Sequence, residues 1–255
     1  MSDTELTQQL EEQPITDPVI KEMIAAGVFY GRTKTKTHPR MKSYILANRA
    51  GIEVINLEKT KEMAEKAAVF LKSKVEAGGQ IIVAATQPIF SEAIAEFAAK
   101  FNLPAVTNRW LGGTLTNYKV ISRRVEYFKK LKQDLAAGYF KNYTKKEQLD
   151  IQKEIEKLAI VLTGLENMVS RPELLIVIDP TLHMSAVKEA RVLGIPVIAF
   201  VNTDTDPDFV NYPVLGNTKA KESAAWFLKG ITEAMEAGVK AKASAAKAAE
   251  VKSAE

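Results

Sequence analysis

The sequence predicts an α/β protein in which a parallel β-sheet is flanked by helices and carries an inserted antiparallel coiled-coil helical hairpin. Two observations predict this fold, one for the sheet and one for the hairpin. Short apolar runs alternate with segments of helical periodicity, and this alternation occurs both before and after the middle of the chain. The hairpin is predicted from the middle itself, where apolar residues between 151 and 169 recur at spacings of four and three, a heptad pattern.

The first half of the chain supplies the first strands and helices. Residues 1–17 are polar and acidic, and we expect a flexible lead there. Pro18 favours the start of a short helix, which Gly27 ends. The elements predicted next are a strand at 52–57, a helix at 58–77, a buried strand at 81–85, a helix at 91–101 and a strand from 105.

The hairpin is predicted over 118–169, between the two parts of a sheet domain that spans 18–117 and 170–238. Beyond 239 the chain is rich in Ala and Lys without an apolar face, which predicts a disordered tail over 239–255. The seam residues are Ile151, Ile155, Leu158, Leu162, Leu165 and Val169. The later elements are a strand at 174–178, a helix at 185–193, a strand at 197–201 and a helix at 218–237.

Composition limits the classes of function. The 255 residues carry a net charge of +4, a mild excess that is compatible with a polyanionic partner. Because the chain has no cysteine, disulfides, thiolate metal sites and a cysteine nucleophile are excluded. No apolar run approaches the roughly 20 residues that span a bilayer, so we expect no membrane partner.

Enzyme chemistry has one candidate location. Asp179, Asp204 and Asp206 follow two predicted strands, at the edge where open sheets bind ligands. These carboxylates suit a cation site, but the sequences around them are also typical of turns and helix caps, and we favour the turn and cap role. Glycine-rich phosphate loops are absent. We therefore predict no catalytic residue, metal or cofactor, and keep a nucleotide- or sugar-phosphate-binding α/β enzyme as the alternative.

Basic residues predict nucleic-acid binding. No acidic residue occurs from 30 to 49, and this stretch also contains hydroxyl and tyrosine side chains. Lysine and arginine neutralise phosphates, hydroxyls donate to them, and aromatic rings stack on bases. The candidate RNA-binding residues of this stretch are Arg32, Lys34, Lys36, Arg40, Lys42 and Arg49.

A second candidate region lies where the last strand of the first half leads into the hairpin. Residues 108–117 place a tryptophan beside a pair of glycines, which suits a loop pressed against another surface but equally a packed turn with a buried Trp. The candidates here are Arg109, Trp110, Lys119, Arg123 and Arg124. A hairpin that binds a protein partner without RNA is a third hypothesis.

Four blocks of residues resemble one known family. Arg109–Asn117, with the sequence RWLGGTLTN, is similar to the signature of the bacterial small-subunit ribosomal protein S-two family. Further similar blocks lie at 26–45, 48–60 and 189–217, in the family's order. At Phe29, Arg32, Gln87 and Asn202 the chain departs from the family's pattern.

The resemblance implies a flavodoxin-like sheet with a protruding coiled-coil hairpin and no enzymatic activity. It implies a structural role in translation, in the cytoplasm, as part of the small ribosomal subunit. The partners that it implies are small-subunit ribosomal RNA and neighbouring ribosomal proteins, including the mRNA-binding protein S-one.

Overall fold

The computed structural model describes residues 17–253, with side chains to residue 244. The chain divides into two compact units. The first unit contains the residues up to Gly79, Ile176–Leu182, and the residues from Pro196 onward. The second unit contains Gln80–Leu175 and His183–Ile195. The acidic lead predicted at 1–17 lies outside the described residues except for Asp17.

The first unit begins with a helix and an antiparallel sheet. Helix α1 (Pro18–Ala25) is capped by Asp17, whose carboxylate accepts from the Val19 N–H. Strands β1 (Tyr30–Thr33), β2 (Ile45–Arg49) and β3 (Ile52–Ile55) form a sheet of order β1-β3-β2. Two 3-10 helices, Lys34–Lys36 and Pro39–Tyr44, join β1 to β2.

The strand predicted from Ile52 is present, but its expected place in the parallel sheet is wrong. Strand β3 pairs antiparallel with both β1 and β2. The reason lies in the turn, since Ala50 and Gly51 both have positive φ, at 49° and 83°. A two-residue turn with both φ values positive matches the twist of an antiparallel hairpin, so β2 and β3 must be neighbours.

The remainder of the first unit packs strands against long helices. Helix α2 (Leu57–Glu76) is capped by the Asn56 side chain, as the predicted helix requires. Strands β7 (Val197–Val201) and β8 (Tyr212–Leu215) pair parallel, and every residue of β7 is buried. Strand β8 was not predicted from the sequence because it has only four residues and contains Pro213.

The last helix, α7, spans Lys221–Ser253 and packs against α2. Where a disordered tail was predicted from 239, the structure continues this helix to Ser253. Alanine and lysine are strong helix formers, and neither glycine nor proline follows Gly238, so nothing in the sequence ends the helix. Residues 254 and 255 lie outside the described part of the chain.

The second unit contains the hairpin. Strand β4 (Ile81–Ala84) pairs parallel with β5 (Ala105–Val106), and α3 (Pro88–Phe101) joins them. The hairpin consists of α4 (Tyr118–Ala136) and α5 (Lys145–Leu162), and the latter starts with a capping box of Thr144 and Glu147. Helix α6 is Met184–Val192.

The predicted seam is buried at the base of the hairpin, whereas Ile151, Ile155 and Leu158 farther out are half-buried. Helix α4 buries Ile121, Val125 and Phe128, while Leu162 and Leu165 are buried on the opposing segment. Val169 does not belong to the seam, because it is 87% exposed. The α-helix ends at Leu162 and a 3-10 turn follows, which changes the direction of the side chains that come later.

Strand β6 (Leu174–Ile178) is buried throughout and contributes residues to both units. With it, the strands of the second sheet have the order β5-β4-β6-β7-β8. A parallel sheet flanked by helices, the predicted fold class, is thus confirmed, with the antiparallel sheet as an addition. Among the described residues, no helix has both the length and the apolar character needed to cross a membrane.

Gly164 provides a test of the packing at the base of the hairpin. A Cβ at this position would overlap the carbonyl oxygen of Ala105. We expect Gly164→Ala to lower the free energy of unfolding by about 1–3 kcal/mol, measured by urea denaturation, because backbone must move to admit the methyl group. At Gly112, where an added Cβ meets nothing within 4 Å, the control Gly112→Ala should change stability by less than about 0.5 kcal/mol. Equal effects of the two substitutions would refute this account.

Candidate nucleic-acid interface

The basic segment of the first unit lies on the two 3-10 helices and on the strands beside them. Its backbone is held in place, since the Lys34 N–H donates to the Gly51 carbonyl at 3.1 Å and the His38 N–H donates to the Thr203 carbonyl at 2.8 Å. Met41 is fully buried beneath the second turn. The side chains of Lys34, Lys36, Lys42 and Arg49 are exposed on this fixed backbone.

Arg32 is engaged inside the protein. Its Nε donates to Asp204 Oδ2 at 2.9 Å, and its backbone N–H donates to Thr203 Oγ1 at 2.8 Å. The adjacent Gly31 allows this close approach, because a Cβ there would lie 2.9 Å from Thr203 Cγ2. Arg32 therefore binds the loop that follows β7. Its guanidinium is engaged by Asp204 of the same chain.

Arg40 is also paired. Its Nη1 lies 2.9 Å and 3.1 Å from the two carboxylate oxygens of Asp206, and 2.7 Å from Asp208 Oδ2. Burial acts against ionisation of Asp206, but hydrogen bonds from the Asp208 N–H and from Arg40 hold its pKa below the ordinary value. For Arg32 and Arg40, the interpretation that no acidic residue balances the charge of 30–49 is therefore wrong, because aspartates distant in sequence lie beside them.

The aromatic rings of this segment make internal contacts. Tyr30 lies against the buried Phe29, with ring centroids 4.1 Å apart. The Lys59 ammonium lies 5.6 Å from the centroid of the half-buried Tyr44 ring. Both rings are therefore engaged in contacts within the first unit.

The carboxylates considered for an enzyme site are occupied by basic partners. Asp179 is 1% exposed, and its carboxylate accepts from Thr181, from Thr218 and from the Lys219 ammonium at 2.9 Å. Burial opposes its charge, yet the hydrogen bonds from Thr181 and Lys219 lower its pKa below the ordinary value. In residues 17–244, no group of three or more His, Asp or Glu side chains is placed to hold a metal ion.

In the second unit the candidate residues divide by exposure. Arg109, Lys119, Arg123 and Arg124 are exposed. Trp110 is 9% exposed, and its indole N–H donates to Glu189 Oε1 at 3.1 Å. The packed-turn interpretation therefore applies to Trp110, and a direct contact of its ring with RNA is not supported.

Glu189, on α6, is the residue that organises this loop, and reasoning from the sequence missed it as a functional group. Its Oε1 accepts from Trp110 and from the Gly113 N–H at 2.8 Å, while Oε2 accepts from the Leu115 N–H at 2.9 Å. Oε2 also accepts from the Thr116 N–H at 3.2 Å and from its hydroxyl at 3.3 Å. Successive N–H groups of this kind form a concave anion-binding nest, and here a carboxylate of the same chain fills it.

Of the four departures from the family pattern, Phe29 and Asn202 are buried, whereas Arg32 and Gln87 are half-buried. Phe29 is buried in a cluster with Ile24 and Val54. Asn202 is buried, and its side-chain oxygen accepts from the Thr203 N–H at 2.7 Å. Gln87 is the N-cap position of α3. These contacts, together with the ion pair of Arg32, give Phe29, Asn202 and Arg32 structural roles.

The comparisons agree with this picture. A family model described as ribosomal protein S2 matches residues 23–238. The chain is 38% identical over 231 residues to small ribosomal subunit protein uS2 of Corynebacterium jeikeium, an alignment covering 90% of this chain and 83% of that protein. It is 41% identical over 202 residues to the protein of the same name from Bifidobacterium longum, covering 79% and 72% respectively. The matched residues include both sheets and the hairpin.

The substitution Glu189→Gln tests the hydrogen bonds by which the Glu189 carboxylate holds this loop, which we call the carboxylate clamp. Burial raises the pKa of Glu189, but the N–H groups of Gly113 and Leu115 and the Trp110 indole more than offset this, so the pKa is lowered. The stabilisation is therefore present above the unfolded pKa of about 4.3 and is lost as pH falls through the folded value. We expect Glu189→Gln to lower the free energy of unfolding by about 2 kcal/mol at pH 7 in urea denaturation, and by less in acid.

The control for this prediction is Glu126→Gln, at an exposed carboxylate on α4 of the same unit. A surface substitution of this kind should change stability by less than about 0.5 kcal/mol. A difference between wild type and Glu189→Gln that stayed constant from neutral to acidic pH would contradict the role of the ionised carboxylate.

Proposed function

Because the chain belongs to the ribosomal protein S2 family, we propose that it is a structural constituent of the small ribosomal subunit. In this role it contacts ribosomal RNA and neighbouring ribosomal proteins during translation and catalyses no reaction. The relatives that resemble it over most of its length are named as small ribosomal subunit proteins. Association with the small subunit places the protein in the bacterial cytoplasm.

The observation that carries the RNA-binding part of the proposal is the exposure of lysines on a fixed backbone. Lys34 and Lys36 lie on one 3-10 turn and Lys42 lies on the next, and all three side chains are exposed. The turns are anchored by backbone hydrogen bonds, so binding need not order the main chain. Each ammonium that reaches a phosphate releases condensed counterions, which favours association at low salt.

The second unit offers a separate set of exposed cations on a helix. Lys119 and Arg123 are four residues apart on α4, so they lie on the same side of the helix, and Arg124 is adjacent. Arg109 is exposed in the loop before α4. Arginine forms paired hydrogen bonds with phosphate oxygens, which suits these residues to the RNA backbone rather than to base edges.

Arg32 and Arg40 have a different role in this proposal. Their partners Asp204, Asp206 and Asp208 neutralise them, so they fix the shape of the surface that carries the lysines. The same pairing leaves the alternative, a nucleotide- or sugar-phosphate-binding enzyme, without an observation in its favour, since its carboxylates hold side chains of the protein.

A more specific part of the proposal is that the mRNA-binding protein S-one is one of the neighbouring proteins. It rests on the family resemblance alone and names one protein among the neighbours. The expectation is that small subunits lacking this chain retain less S-one. Reconstituting subunits with and without the chain and quantifying bound S-one by mass spectrometry tests this, and equal amounts would refute it.

Replacing Lys34, Lys36 and Lys42 together by alanine tests RNA contact by the first unit. We expect weaker association of the triple variant with small subunits that lack the native protein, measured by co-sedimentation over a range of salt concentrations. If each lysine neutralises one phosphate, the slope of log K against log salt should become shallower by about 2–3. Failure of the wild-type chain to sediment with small subunits would refute the proposed function itself.

The matched control replaces Lys66, Lys188 and Lys240, three lysines exposed elsewhere on the described chain, by alanine. It removes the same charge without touching the two turns. Equal losses of affinity in the two triple variants would mean that net charge, and not the position of these lysines, determines binding.

A further inference from the structure

We infer that Glu189 is a positioning residue for the hairpin: its carboxylate fixes the loop at 109–117 and thereby the direction in which α4 presents its basic residues. This inference rests on the proposed function, because it takes those residues to contact ribosomal RNA. Glu189 itself touches no RNA in this account and acts through the loop.

The first step is the number of hydrogen bonds that the Glu189 carboxylate can accept. An ionised carboxylate accepts hydrogen bonds only, at about four lone-pair sites. Glu189 receives donors from four residues, three of them through the backbone, so its accepting capacity is filled by one loop. Since main-chain N–H groups provide most of the contacts, the carboxylate determines the course of the backbone.

The second step is the short path from the clamp to the helix. The Asn117 N–H donates to the Gly113 carbonyl at 2.8 Å, and the Val120 N–H donates to the Asn117 carbonyl at 3.0 Å. Thr116 lies only two residues before the first residue of α4, and these hydrogen bonds connect the loop to the first turn of the helix. A negative charge at this end of α4 is further stabilised by the helix dipole.

The third step is the rigidity of the residue that holds the loop. Ala186, Val187 and Ala190 of α6 are completely buried, so the helix that carries Glu189 is packed into the second unit. Gly113 has φ of +89°, a conformation that favours glycine and lets the loop turn around the carboxylate. Thr114 and Leu115 are buried inside this turn.

The fourth step is the length of α4, because a small rotation at its start moves its far end by a larger distance. Helix α4 has 19 residues, which corresponds to about 28 Å at 1.5 Å per residue. A rotation of about 10° at its first turn would move its far end by about 5 Å, more than the length of a hydrogen bond. Contacts at the base of the hairpin, such as Tyr118 Oη to the Val169 carbonyl at 2.9 Å, remain without Glu189. Loss of the clamp should therefore loosen the hairpin without unfolding it.

The test measures hairpin direction directly. The chain has no cysteine, so spin labels can be attached at Glu96→Cys on α3 and Lys130→Cys on α4, both exposed and both in the second unit. Pulsed electron-spin distance measurements on the full-length protein should give a narrow distribution with Glu189 and a broader one with Glu189→Gln. Glu126→Gln is the control and should leave the distribution unchanged.

The second measurement is association with small subunits. Without the clamp, binding must order the hairpin, and we expect affinity to fall on the order of tenfold. Trp110→Phe removes one hydrogen-bond donor to Glu189 and keeps a buried ring. We expect it to broaden the distance distribution and to lower the affinity, both to a smaller extent. This variant replaces Glu189→Gln in the test if Glu189→Gln does not fold. A distance distribution unchanged in both variants, or a broadened one with unchanged affinity, would overturn the inference. Either result leaves the lysine test of the proposed function untouched.

Discussion

The surface of the first unit depends on the ion pairs that join the loop after β7 to β1 and to the segment between β1 and β2. Arg32 and Arg40 are linked to Asp204 and Asp206, residues 172 and 166 positions away in the chain. Ion pairs near the surface contribute little to stability, because water and salt screen them. Their importance is geometric, because together with the bond from the His38 N–H to Thr203 they determine where the two 3-10 turns hold their lysines.

Internal anions have a corresponding role in the second unit. The Glu189 carboxylate occupies a nest of N–H groups that would otherwise be buried without acceptors, at a cost of roughly 1–3 kcal/mol per group. The loop with the family's signature sequence is therefore built around a carboxylate from a distant helix. In both units, acidic residues shape the backbone while basic residues remain at the surface.

The sequence was sufficient to predict the elements with strong local signals. The helices at 57–76 and 118–136 and the buried strands at 81–84, 174–178 and 197–201 have periodicity or apolar runs that decide their state. The antiparallel pairing of β3 was missed because it depends on the positive φ of Ala50, a residue that rarely adopts it. The helical continuation after 239 was missed because an absent apolar face was given more weight than helix propensity.

Prediction of the candidate site was limited by long-range contacts. Exposure of Lys34, Lys36 and Lys42 agrees with the expectation of a basic surface, since lysine is rarely buried. Neutralisation of Arg40 could not be predicted, because charge balance along a sequence does not report charge balance in space. For Trp110 a signal did exist: a buried indole N–H needs an acceptor, and a carboxylate elsewhere in the chain was the natural candidate.

The pairing of Arg32 and Arg40 also affects how the protein behaves before it reaches its site. Sequence-independent attraction to nucleic acid grows with each phosphate that a protein neutralises. Two guanidinium groups held by aspartates contribute less to that attraction than unpaired ones would, because the aspartates offset their charge. In the proposed role, the attraction of the first unit to RNA then comes mainly from the lysines exposed on the two 3-10 helices.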